Sequence, residues 1–344
     1  MGEEKFRNQI YWLTCLFSIL VVGVHSENAA LFDLTEDSGI ISSAVIWLQK
    51  VIAQQIGQIA VPGFFLVSGY LFYRKFRFSK LFQKWRSRIG TLFIPYVIWN
   101  LLYYIVYCVF SAVPILSAAS GVEHVTWSMS GVWDAIVNYT YNPVFWYLFQ
   151  LILLVVSAPF LYVLLCNRWV GMAALLCAWM AVAGHIQVGM LNADALVYYG
   201  TGAYLALHAR TWMEQSHKKA GWISGILCIV IPIILEAVSP LAIFPVPLVL
   251  LRLGIPLGLW LIMNEMHLPK VKEWMKGTFF VYATHFLIVR TLNKLGAMIW
   301  RENAFAAFFL YIVDIAMAFG AAWICKKVLG RFTPFLWKWI SGGR

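Results

Sequence analysis

The sequence predicts an all-α, polytopic membrane protein: a helical bundle of about ten transmembrane helices with both termini cytoplasmic. Three observations carry that prediction. Of 344 residues, 62% are hydrophobic and only 12% charged, about half the charged share of an ordinary soluble domain. The apolar residues fall in runs close to the roughly 20 that a helix needs to cross a hydrocarbon core of ~30 Å. The basic residues gather in alternate connections between those runs, the bias that marks cytoplasmic loops. A soluble fold has no interior large enough for this much apolar surface.

In chain order the predicted spans are 9–26, 47–73, 89–113, 143–166, 168–188, 192–208, 220–237, 244–263, 277–297 and 304–325. The second is long and carries Gln54, Gln55 and Gln58, so its first turns are expected at the interface or broken. Counting spans puts one set of connections on a single face: Lys5 and Arg7, the whole of 74–88, Arg168, Arg210 with Lys218 and Lys219, Lys270 to Lys276, and the tail from Lys326 to Arg344. These hold most of the 26 Lys and Arg and make that face cytoplasmic.

The opposite face is acidic, with Glu27, Asp33, Glu36, Asp37, Glu123, Asp134, Asp194, Glu236 and Glu302. The net charge of +11 is therefore mostly a topology signal, and nucleic acid is disfavoured as a partner. The longest outer loop, about 114–142, is aromatic and polar and is placed to cap a site. No cleavable signal, internal repeat, low-complexity tract or linker is evident, so residues 1–344 read as one integral-membrane domain. Six cysteines, scattered without metal or CxxC spacing, read as small core-filling residues, and no metal site is expected.

Ionisable groups inside spans are expensive and therefore informative. They are His25, Arg252, His285 and Asp314, with Arg290, Lys294 and Arg301 near the outer ends. At about 1.5 Å per residue, His285 and Asp314 fall near mid-depth on consecutive antiparallel helices, where they can pair. Arg252 and Arg290 are placed to snorkel outward. His25 ends the first span at its extracytoplasmic mouth. There it is either a packed, hydrogen-bonded side chain or a general base, the role imidazole suits best near neutral pH. Glu27, two residues on, points to another side of a continuing helix and is a poor orienting partner.

On the cytoplasmic side, "RKFRFSKLFQKWRSR" interleaves Arg and Lys with Phe and Trp. It reads either as an anchor on anionic lipid or as a site for a polyanionic cytosolic ligand. Arg86 and Arg88, with Lys84, can grip phosphate groups at the start of the third span.

Five stretches taken together resemble the integral-membrane acyltransferase 3 family. They are the first helix closing on "VVGVHS", then "VPGFFLVSGYLF", "KWRSRIGTLFIPYVIWN", "FWYLFQLILLVVSAP" and "TFFVYATHFLI". They occur in family order over nearly the whole chain. The resemblance implies a bacterial cytoplasmic-membrane enzyme that moves an acyl group, usually acetyl, from cytosolic acyl-CoA to a hydroxyl of an extracytoplasmic or lipid-linked glycan. It implies that His25 is catalytic and that Arg86 and Arg88 serve the acyl-CoA donor. Acyl-CoA is then a substrate rather than a bound cofactor, and membrane lipid and a glycan or glycolipid acceptor are the partners. The sequence departs from the family where relatives carry an acidic residue and an arginine early in the first helix; here it reads "QIYWLTC".

Under that reading His25 takes the proton from the acceptor hydroxyl. Ser68, Trp146, Tyr147, His285 and Arg252 are the candidates to line the acceptor site or an acyl channel. Gly63, Ser68 and Gly69 also let the second span approach its neighbours closely, and Trp146 and Tyr147 equally suit interfacial anchors. The main rival is a secondary transporter of a polar or acylated solute, using the same intramembrane groups; such proteins often carry internal repeats. A sensory or scaffolding domain needs neither His25 nor the arginines.

Overall fold

The computed structural model describes residues 2–113, 124–184, 186, 189–238 and 246–343. Glu123, Arg344 and the first part of the 114–142 loop lie outside the described residues. The secondary structure is helical. Its α-helices are α1 (Glu3–His25), α2 (Ile40–Lys50), α3 (Ala60–Tyr73), α4 (Leu81–Arg88), α5 (Ile94–Ala112), α6 (Met129–Val137), α7 (Trp146–Val156), α8 (Ala158–Leu165) and α9 (Arg168–Ala183). They continue with α10 (Ala193–His208), α11 (Arg210–Glu214), α12 (Lys219–Val238), α13 (Val246–Glu265), α14 (Thr278–Ile299), α15 (Ala304–Phe332) and α16 (Pro334–Ser341).

Helices coincide with all ten predicted stretches. Among the described residues, six segments are long and apolar enough to cross a membrane: Glu3–His25, Ile40–Tyr73, Phe78–Ala112, Lys219–Val238, Leu248–Glu265 and Ala304–Phe332. The 143–166 stretch is two helices, Pro143–Val156 and Ala158–Leu165, bent by 65°, and makes a seventh if taken as one span. Pro159 stands at the start of α8 and removes a backbone donor. The remaining stretches fall on α9 and α10, of 16 residues each, and on α14, which is long enough but carries His285, Arg290, Asn293 and Lys294.

The chain divides into two compact units. The first comprises Met1–Phe17, Gln58–Trp85 and Gln150–Met275; the second comprises Ser18–Gly57, Arg86–Phe149 and Lys276–Arg344.

In the first unit, α3 and α10 cross at glycines, as helices do where apolar solvent gives them no other reason to associate. A Cβ on Gly69 would stand 2.1 Å from the Tyr199 carbonyl oxygen, and one on Gly202 would stand 2.0 Å from that of Leu66. The small residues in "VPGFFLVSGY" thus serve close approach; a Cβ on Gly63 would meet the Phe17 ring at 2.4 Å. At the α8 bend the Tyr73 hydroxyl donates to the Ala158 carbonyl at 2.9 Å. Below α3, Arg74 forks onto Glu214, with Nε–Oε1 at 2.6 Å and Nη2–Oε2 at 2.9 Å. Tyr70, Arg210 and Glu3 complete that cluster.

In the second unit, α5 is fastened to α14 by Tyr103, which donates to the Ala283 carbonyl at 3.1 Å. Trp99 ties it to α16 through the Ile340 carbonyl at 2.8 Å. Phe32, Val45, Ile46, Ala307 and Leu310 form an apolar cluster between the chain after α1, α2 and α15. The irregularity expected around Gln54–Gln58 is present: a π-helical turn (Val51–Ile56) and a 3-10 turn (Gly57–Ile59) separate α2 from α3. At that break, a Cβ on Gly57 would lie 2.2 Å from Cγ2 of Val24 and 2.8 Å from the Ile52 carbonyl oxygen.

The cysteines are free thiols, but only Cys15 and Cys108 are buried; Cys166, just past α8, and Cys177, on α9, are exposed, so core filling does not account for them.

Candidate active site

His25 is the last residue of α1 and is half-buried. What fixes that helix end is the polar chain that follows it. Asn28, buried three residues past the helix, exchanges hydrogen bonds with Gln49 of α2: Gln49 Nε2 donates to Asn28 Oδ1 at 2.8 Å, and the amides of Asn28 and Ala29 donate to Gln49 Oε1 at 3.0 Å. Asn28 Nδ2 donates in turn to Asn293 Oδ1 of α14 at 2.8 Å and to the Ala307 carbonyl of α15 at 3.0 Å. Asn293 Nδ2 then donates to Asp314 Oδ2 at 2.7 Å. One side chain thus bonds three helices, and every member of the chain is buried. In an apolar interior such a set holds its geometry firmly, because each broken bond strands a desolvated group.

His285 is fully buried on α14. Its Nδ1 lies 2.8 Å from the Tyr282 carbonyl and 3.1 Å from that of Val281. Carbonyl oxygens only accept, so Nδ1 carries the proton and Nε2 is left with its lone pair. That Nε2 is buried without a hydrogen-bond partner among the described residues. The ring beside it is His25: the two centroids are 5.2 Å apart, and Phe286 closes another side of His25 edge-on at 5.7 Å. An imidazole locked in one tautomer can accept the N–H of its neighbour and leave that neighbour's second nitrogen as a base.

The expected pairing of His285 with Asp314 is not formed. His285 is spent on the carbonyls of its own helix, Asp314 takes Asn293 instead, and Asp314 Oδ1 has no partner among the described residues. The Ser26 side chain lies beside the same carboxylate. Glu27 is exposed and makes no bond to His25.

The other sequence-predicted residues are placed as follows. Tyr147 meets Tyr282 edge-on at 5.8 Å, and Tyr282 lies 6.2 Å from His285, so Tyr147 is one ring removed from the histidine pair. Trp146 precedes it, half-buried at the start of α7. Ser68 is half-buried on α3 beside Gly69. Arg252 does not snorkel freely: its Nη2 donates to Gln58 Oε1 at 3.2 Å, and its Nε is buried without a partner among the described residues. Arg290 donates to the Tyr107 hydroxyl at 3.2 Å. On α4, Arg86 is exposed and Arg88 half-buried. Lys84 donates to the Phe72 carbonyl and lies 4.8 Å from the Phe72 ring centroid. That contact neutralises the carbonyl end of α3 and gives Lys84 a structural task.

Beyond Gln54, Gln55 and Gln58, further amides matter to the site. Asn28, Gln49 and Asn293 were legible as amides within or beside apolar runs, where an uncharged polar side chain also needs a partner. Tyr311 was missed as well: its buried hydroxyl lacks a partner among the described residues, and a Cβ on Gly23 of α1 would lie 3.4 Å from it. Among the described residues no group of three His, Cys, Asp or Glu side chains is arranged to hold a metal ion.

Apolar helices of membrane length, with the buried His285 beside the half-buried His25, define a helical membrane protein that holds imidazole within its helices. Comparison with known families makes that specific. The acyltransferase 3 family model, described as an acyltransferase domain, matches residues 8–327, and the chain belongs to that family. No curated protein and no solved structure matches it.

Proposed function

We propose that the protein transfers an acyl group, acetyl in the simplest case, from cytosolic acyl-CoA to a hydroxyl of an extracytoplasmic or lipid-linked glycan. His25 is the general base on that hydroxyl, and His285 is the residue that orients it. The observation that carries the proposal is the histidine pair: one ring at the end of α1, the other buried behind it with its Nδ1 proton committed to backbone and its Nε2 lone pair unused.

The donor is handled from the cytoplasmic face of a bacterial inner membrane, where the basic 74–88 segment lies in a ten-span topology with both termini inside. Arg86 and Arg88 bind the CoA phosphates; the exposure of Arg86 supports this. The acyl-pantetheine arm reaches His25 from within the helices, and Tyr147 and Trp146 stand on the acceptor side. The chemistry needs no resident cofactor: His25 removes the acceptor proton, the alkoxide oxygen attacks the thioester carbon, the C–S bond breaks, and CoA leaves as the thiol on taking the proton.

The test incubates the purified protein with labelled acetyl-CoA and candidate glycans. CoA release that requires both the acceptor and His25 is the expected result, and turnover retained in His25→Ala rejects the base role.

A further inference from the structure

A second feature, unrelated to the histidine pair, lies wholly within the first unit. A cavity of about 370 Å³ is walled in part by Gln150, Asn192 and Asp194. Its wall is tied to α7 through Gln150. Gln150, 6% exposed, clamps the wall from both sides: its Nε2 donates to the Met190 carbonyl at 3.0 Å, and its Oε1 accepts from the Asn192 amide at 2.8 Å. Asn192 caps α10 through its Oδ1, accepting from the Ala195 amide at 3.3 Å, which leaves its Nδ2 as a donor.

Asp194 supplies the only acidic side chain on the described wall. Its Oδ1 accepts from the buried Tyr198 hydroxyl at 3.3 Å. The same hydroxyl lies against Arg252, which is braced by Gln58. Arg252 makes no ion pair among the described residues, and the Tyr198 hydroxyl stands between it and the Asp194 carboxylate. A guanidinium set in an apolar helix is costly to keep without a purpose; here it abuts the hydroxyl that donates to Asp194.

Fixed carboxylate and amide groups facing a half-open cavity, with Val182, Met190 and Leu191 offering apolar surface beside them, match a ligand that has many hydroxyls and C–H faces. A cation is disfavoured, because one carboxylate does not make a coordination shell. We infer that this cavity is a binding site for a sugar ring, with Asp194 accepting hydrogen bonds from ring hydroxyls and Tyr198, Arg252 and Gln58 acting as positioning residues for its carboxylate. Sugar binding at this site does not require catalysis.

The experiment uses the full chain in lipid nanodiscs and saturation-transfer NMR with the methyl glycosides of glucose, galactose, mannose, rhamnose and N-acetylglucosamine. At least one is expected to bind, Asp194→Ala to weaken it about tenfold or more, and the isosteric Asp194→Asn to weaken it by a smaller factor, both with an unchanged melting midpoint. Tyr198→Phe is expected to fall between wild type and Asp194→Asn. The inference is overturned if none of the five binds the wild type, if both Asp194 variants bind as wild type does, or if binding falls only in step with the melting midpoint. A protein that binds sugar but releases no CoA keeps the sugar site and loses the transferase reading.

Discussion

The imidazole rings of His25 and His285 lie 5.2 Å apart and tilted by 49°, the first on the last residue of α1 and the second fully buried on α14. If His285 orients the base, its removal must act on turnover and spare donor binding. His285→Ala is expected to lower kcat by about 10²-fold, the typical cost of a misplaced catalytic group, while KM for acetyl-CoA stays as in wild type. His25→Ala is expected to lose about 10²–10⁴-fold. The kinetics of CoA release measure both. An equal loss in kcat and donor affinity for His285→Ala removes the orienting role.

On α4, Arg86 is exposed and Lys84 is engaged with the Phe72 carbonyl. The three basic residues therefore separate in a titration of acyl-CoA binding. Arg86→Ala and Arg88→Ala are each expected to weaken binding by about tenfold, the scale of one charge-assisted contact, with little change in melting midpoint. Lys84→Met is expected to lower the midpoint by more than it lowers affinity. Unchanged affinity in both arginine variants would sink the donor-site assignment.

Why the sequence disclosed some of this and not the rest follows from which signals are local. The helices are legible because apolar runs and their basic boundaries are properties of the chain itself, and the break in 47–73 announces itself through Gln54, Gln55 and Gln58. His25 stands out as an imidazole closing an apolar run. Its partner does not: His285 is 260 positions away, and on spacing alone Asp314 was as good a match for it. Depth along two helices places residues at one level but says nothing about rotation, and it is rotation that turns Asp314 to Asn293 and His285 to its own backbone. The 65° bend after Val156 was equally hidden, since Pro near a helix start is often harmless.

Gly57 illustrates a constraint that composition never reveals. A methyl group there would meet Val24 Cγ2 at 2.2 Å and the Ile52 carbonyl oxygen at 2.8 Å. Val24 is the residue before His25, so the clash bears on the helix end that carries the base. Gly57→Ala is expected to cost about 1–3 kcal/mol in overpacking and to reduce activity in the protein that does fold. Val24→Ala in the same chain should restore part of the loss and not all of it, because the Ile52 carbonyl is backbone and remains. A double-mutant cycle on melting midpoints and CoA release checks this; strict additivity rejects the contact as the cause.

Asn28 bonds Gln49, Asn293 and Ala307 at once. Asn28→Ala strands several buried groups and is expected to destabilise the protein by about 1–3 kcal/mol for each one left without water. Because the same residue anchors the turn after His25, loss of turnover should exceed the loss of folded protein. The ratio of specific activity to folded fraction, read from size-exclusion recovery, measures the excess, and a ratio equal to wild type assigns Asn28 to stability alone.

Glu214 provides a pH test that is independent of catalysis. Burial by itself would raise its carboxyl, but hydrogen bonds from Arg74, Tyr70 and Arg210 outweigh burial and hold it at about 2, against an ordinary 4.5. A carboxyl depressed in the fold favours the native state wherever it is ionised in both states. Its contribution is therefore complete above about 4.5 and is lost as pH falls through the interval down to about 2. Glu214→Gln removes the charge and keeps the shape, so it should melt below wild type at neutral pH. Lowering the pH neutralises the wild-type carboxyl too, and the gap between the two proteins should close across that interval. Melting midpoints of both, measured from neutral pH downward, decide the matter: a gap that stays constant as the pH falls shows that Glu214 acts through shape or packing and not through its charge on Arg74.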